Sequence, residues 1–150
     1  MSLKVAVDAD LKQALLSGAR DKVDTLRGLK AAILDIEVAT GTREQGLSDA
    51  EIEKLIAREV KKRRESAELY TANGRPELAA AESAEIVILE SYLPQQLDDS
   101  ALEQIIVDQI AATQATSVKD LGRVIAAVKS QVGNSADGAR IAQLVKSKLS

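Results

Sequence analysis

The sequence predicts an all-α protein of two lobes: an N-terminal helical domain built around a long antiparallel helix hairpin, residues 1–97, and a small C-terminal three-helix lobe, residues 98–150. Three observations predict it. Apolar residues recur with helical spacing almost from end to end, and no strand alternation of useful length interrupts them. Aromatics make up only 1%, so alanine and aliphatic side chains must fill the core, which suits close helix-on-helix packing. There are just two prolines, Pro76 and Pro94, and both fall where a turn is expected.

The first helix, about Leu3 to Leu16, sets Leu3, Val7, Leu11 and Leu15 in i, i+4 register and stops at Gly18. The second, about Asp21 to Ala39, places Leu26, Leu29, Ile33 and Ile36 on one face. "TGTREQG", Thr40 to Gly46, is rich in turn formers and ends it. "SDAE", Ser48 to Glu51, is a capping box that opens a long helix to about Thr71. "NGRP" then makes a tight turn, with Gly74 free to take positive φ and Pro76 suited to a first helical turn. A fourth helix runs to Tyr92, and Pro94 prevents its continuation. Beyond "LPQQLDDS" three shorter helices follow. One spans about Asp99 to Ala112 with Leu102, Ile105, Ile106 and Ile110. The next starts at Ser117, with Asp120 completing a second capping box, and uses Leu121, Val124, Ile125 and Val128. The last is capped by Asp137 and uses Ile141, Leu144, Val145 and Leu149.

Composition excludes several kinds of chemistry. With no cysteine and no histidine there is no thiolate or imidazole metal site, no Cys–His or Ser–His nucleophile pair and no disulfide framework. The N-terminal "MSLKVAVDADLKQ" lacks the apolar run of a signal peptide, and nothing reaches membrane-spanning length, so the expected location is the cytoplasm with no membrane partner. Lys and Arg total 20 against 23 Asp and Glu, a net charge of −3; through Leu97 there are 14 basic and 17 acidic residues, and after it 6 of each. Neither lobe is basic in bulk, so any nucleic-acid contact must come from local geometry.

The run "VKKRRES", Val60 to Ser66, is the place to look for such geometry. At about 100° per residue, Ile52, Leu55, Ile56, Val60, Ala67 and Tyr70 form one apolar sector, and Arg63 falls inside it at about 20° from Ile52. Four consecutive residues encircle a helix, so "KKRR" is not one patch. On the following helix Glu82 and Glu85 share the apolar face of Leu78, Ile86, Leu89 and Leu93. A hairpin closed at Gly74 sets Arg63 opposite Glu85 and Ser66 opposite Glu82. Arg63 with Glu85, joined by Glu82, is therefore expected to be an interhelical polar lock whose loss costs about 3–5 kcal/mol. Lys54, Arg58, Lys61 and Lys62 face outward; Lys54–Arg58–Lys62 is a like-charge ladder that costs helix stability, partly neutralised by Glu51, Glu65 and Glu68. This set reads as a solvated helix face or, alternatively, as a phosphate contact. The small lobe adds Lys119, Arg123, Lys129, Arg140, Lys146 and Lys148 with few acids among them.

A catalytic constellation is not legible. Gly41 and Gly46 have phosphate-loop spacing, but Leu47 stands where a lysine is needed. "GNSADG" has neither the ligands of a calcium loop nor a dinucleotide fingerprint. Carboxylate pairs such as Asp98–Asp99 have no nucleophile or oxyanion donor beside them and read as caps. No metal and no cofactor is expected.

The chain resembles the YqeY family, whose fold is shared with the tail domain of the B subunit of the tRNA-dependent amidotransferase. The resemblance rests on "LRGLKAAI", "LSDAEI", "EVKKRRESAELY" and "GRPELAAAESAEIVILESYLPQQL", then on "KDLGRVI", "ADG" and the closing "LVKSKL". It implies two helical lobes. It also implies tRNA as a partner, since the similar amidotransferase tail and a similar domain appended to some glutaminyl-tRNA synthetases help hold tRNA. Family naming attaches a carbon–nitrogen ligase activity with glutamine as amido-N-donor to stand-alone members, but this sequence gives that chemistry no residues. The resemblance further implies a basic residue in the turn before "ADG", where this chain reads Gly133-Asn-Ser-Ala-Asp-Gly138. The expected function is a non-catalytic tRNA-binding or tRNA-enzyme accessory module. The alternative is a module that docks on an amidotransferase or an aminoacyl-tRNA synthetase without touching RNA.

Overall fold

The computed structural model describes residues 2–150: seven α-helices and, among the described residues, no strand. The helices are α1 (Leu3–Ser17), α2 (Arg20–Thr40), α3 (Asp49–Ala72), α4 (Pro76–Glu90), α5 (Asp99–Thr113), α6 (Leu121–Val132) and α7 (Gly138–Leu149). The chain divides into two compact units between Leu93 and Pro94. That is a few residues before the expected boundary at Leu97, because Leu97 packs with the second core and its N–H donates to Ser135 O at 2.8 Å.

In the first unit, Val7, Leu26, Leu29, Ile33, Leu47, Ile52, Leu55, Ile56, Val60 and Leu89 form one buried cluster. Leu15, expected on the apolar face of α1, is 50% exposed, and Ala14 is buried instead. The reason is geometric: each i, i+4 step precesses by about 40° on a 3.6-residue helix, so the fourth member of the row has turned out of the core. The α4 helix ends at Glu90 rather than Tyr92. Tyr92 and Leu93 donate instead to Leu89 O and Glu90 O, a tightened last turn ahead of Pro94. The Tyr92 hydroxyl then donates to Asp10 Oδ2 at 2.5 Å, tying this end of α4 to α1.

One buried charge pair was not anticipated. Glu37 is 1% exposed, yet its carboxylate accepts from Lys4 Nζ at 2.9 and 3.1 Å and from the Leu47 N–H at 2.9 Å. It thereby fastens α1 to α2 and draws the Thr40–Gly46 turn back onto the helix that precedes it. The Lys4 hydrogen bond, with the Leu47 N–H and the Lys4 and Arg43 charges, outweighs desolvation and holds this carboxyl below its ordinary pKa.

The second unit closes on Leu102, Ile106, Val124, Val128, Val132, Ala136, Ile141 and Val145. Its two anticipated caps differ in detail. The Ser117 hydroxyl caps a 3-10 turn, Val118–Asp120, and α6 begins only at Leu121. Asp120 accepts from the Thr116 N–H at 2.9 Å, which lowers its pKa. Asp137 occupies the N-cap position of α7 but its side chain makes no cap hydrogen bond.

Candidate nucleic-acid interface

The α3 helix is launched by Ser48. Its hydroxyl accepts from the Glu51 N–H at 3.2 Å, and Glu51 Oε1 accepts from the Ser48 N–H at 3.4 Å. From that start the apolar sector of Ile52, Leu55, Ile56 and Val60 is buried, and the remaining directions follow. Arg63 is half-buried against α4: its Nε donates to Glu85 Oε2 at 2.8 Å. Its Nη1 donates to Glu59 Oε2 at 2.7 Å and to Glu59 O at 3.2 Å. The guanidinium thus spans two carboxylates. Desolvation opposes its charge, but hydrogen bonds to Glu59 and Glu85 prevail and raise its pKa.

Glu82 makes no ion pair with Arg63, contrary to the expectation from hairpin symmetry; Glu59 takes that place. Glu59 precedes Arg63 by four residues on the same helix, a spacing that by itself signals an ion pair. The neighbouring Arg64 was also missed as an interhelical contact: it pairs with Glu90 of α4. Half of "KKRR" therefore holds the hairpin together.

The other half faces away. Lys54, Arg58 and Lys61 are exposed and, among the described residues, have no carboxylate within ion-pair distance. Lys62 is exposed too and only loosely held, its Nζ 3.7 Å from Glu59 Oε1. On one helix this sets a cation at positions 54, 58 and 61, about one per turn. Beyond them Glu65 and Glu68, both exposed, turn the same side of α3 acidic.

In the second unit the six cations separate in the same way. Arg123 pairs with Asp120 at 2.9 Å. Arg140 bonds Asp99 Oδ1 at 2.9 Å and Leu97 O at 2.7 Å, clasping the first turn of α7 to the start of α5. Both arginines belong to the fold. Lys119, Lys129, Lys146 and Lys148 are exposed and have no ion-pair partner among the described residues. Lys129 lies in the last turn of α6, and Lys146 and Lys148 in that of α7, where a cation also complements the helix dipole. Lys129 lies so close to Gly138 that a Cβ there would meet its Cε and Nζ at 3.3 Å.

Among the described residues no group of three or more His, Cys, Asp or Glu side chains could hold a metal ion, and no helix is long and apolar enough to cross a membrane.

A family model described as "Yqey-like protein" matches residues 4–149. A curated relative from Eremothecium gossypii, "Altered inheritance of mitochondria protein 41, mitochondrial", is 31% identical over 84 residues. The match takes in 56% of this chain and 45% of that protein, so the chain covers less than half of the relative's length. With the family model spanning both helical units nearly from end to end, the chain belongs to the YqeY family.

Proposed function

We propose that this protein is a non-catalytic accessory module that binds tRNA, or serves an enzyme that does, through exposed lysines and arginines. The observation that carries the reading is the division of labour among its basic residues. Arg63, Arg64, Arg123 and Arg140 are held by carboxylates of the fold, whereas Lys54, Arg58, Lys61, Lys119, Lys129 and Lys146 are exposed and have no ion-pair partner among the described residues. Cations that the fold does not neutralise are the ones that can release counterions from a phosphate backbone. Titration of purified protein with bulk tRNA tests this. Binding at low salt, weakening log-linearly as salt rises, is the expected result. No binding at low salt overturns it.

A second reading, docking on an amidotransferase or aminoacyl-tRNA synthetase without RNA, draws on α2. Leu34 and Val38 are 42% and 61% exposed there, and Leu34 borders a groove lined by Val7, Ala31 and Ile33 together with the charged Lys4, Lys30 and Glu37. Capture of such an enzyme that survives RNase treatment supports this reading over the first.

A further inference from the structure

We infer that the outer face of α3 reads the backbone of base-paired RNA, contacting phosphates through Lys54, Arg58 and Lys61 without recognising bases. The inference rests on the RNA-binding reading above and narrows it to one surface and one class of ligand.

Two observations choose the class. The first is the lack of a free aromatic ring on which a splayed base could stack. The chain has no Phe and no Trp. Of its two tyrosines, Tyr70 is half-buried, and Tyr92 is half-buried with its hydroxyl committed to Asp10. The guanidinium planes of Arg63 and Arg64 are held by Glu59, Glu85 and Glu90. Surfaces that bind single strands gain about 1–3 kcal/mol per base from stacking, and that gain offsets the cost of ordering a flexible chain. Here the aromatic part of that gain is missing and the cost remains. A duplex has already met that cost: its phosphates are fixed in place, and two strands double the local charge density.

The second observation is the form of the row. Lys54, Arg58 and Lys61 recur about once per turn along one rigid helix, on a side that turns acidic at Glu65 and Glu68. The positive footprint is therefore short, straight and fixed. Such a row fits a run of pre-positioned phosphates along one groove edge, and two of its three cations are lysines, which offer point charges rather than a hydrogen-bonding code for base edges.

The test compares a blunt RNA duplex with one of its separated strands, each fluorescently labelled, titrated with the full-length protein over a salt series. The duplex should bind more tightly. A triple variant, Lys54→Gln with Arg58→Gln and Lys61→Gln, should bind the duplex more weakly, with a log–log salt slope shallower by about 3. These side chains are exposed, so an unchanged thermal melt will show that the fold is intact. Equal or tighter binding of the single strand overturns the duplex assignment while leaving RNA binding standing. Unchanged duplex affinity and slope in the triple variant overturn the assignment to α3. Failure of both RNAs and of bulk tRNA to bind removes the RNA reading itself.

Discussion

At the scale of single residues, two charges hold the first unit in register, and they differ in burial. Arg63 retains 20% side-chain exposure and Glu85 36%, so water can take up part of a charge left behind when its partner is removed. The cost of Arg63→Ala should therefore be about 1–2 kcal/mol in a denaturant series rather than the larger loss expected for a fully buried pair. Glu59→Gln and Glu85→Gln should each recover part of that loss, and their combination with Arg63→Ala should be strongly non-additive. Glu37 is a sharper case because it is buried. Its folded pKa lies below the ordinary glutamate value, lowered first by the Lys4 hydrogen bond. A carboxyl depressed on folding contributes stability that is complete above its unfolded pKa and lost as pH falls through the folded value. Thermal melts should show the midpoint falling below about pH 4.5, and Glu37→Gln should flatten part of that fall. A variant that melts like the parent at every pH would contradict the clamp. Of these two charges, Arg63 with Glu85 was legible from helical angles. Glu37 was not, because its partners lie 33 residues before it and 10 after it, beyond any local spacing rule.

At the scale of elements, some helix starts and stops were written in capping chemistry, whereas exposure along each helix depended on what packed against it. The box at Ser48 and the left-handed glycines at Gly18 and Gly41 were visible as residue types. Leu15 shows where periodicity fails, since an i, i+4 row rotates out of contact on a straight helix. The α3–α4 hairpin turns on Gly74 at φ 72°, with open space where a Cβ would be. Gly74→Ala should therefore destabilise by about 1 kcal/mol through backbone strain alone, measured as a shift in denaturation midpoint at constant slope. Gly74→Asn, which tolerates the left-handed region better, should recover part of it.

At the scale of the whole molecule, each unit has its own buried aliphatic cluster, and the second is closed by Leu97, Ala136 and the Arg140 clasp as well as by its three helices. Residues 94–150 expressed alone should therefore melt cooperatively with a helical circular dichroism spectrum. A noncooperative melt would show that this core does not suffice by itself. The sequence by itself determined the all-α class, the order of seven helices and the family, because helical period, caps and turn residues act over a few positions. It also determined that "KKRR" must point in four directions, since helix geometry leaves no choice. Only the tertiary structure decided which cations remain unpaired. Glu82 is passed over at Arg63, Glu90 takes Arg64, and Asp99 with Leu97 O takes Arg140. Most of these choices depend on which carboxylate or carbonyl a fold brings within about 3 Å of a long, flexible side chain, and local periodicity cannot specify a distance between residues far apart in sequence.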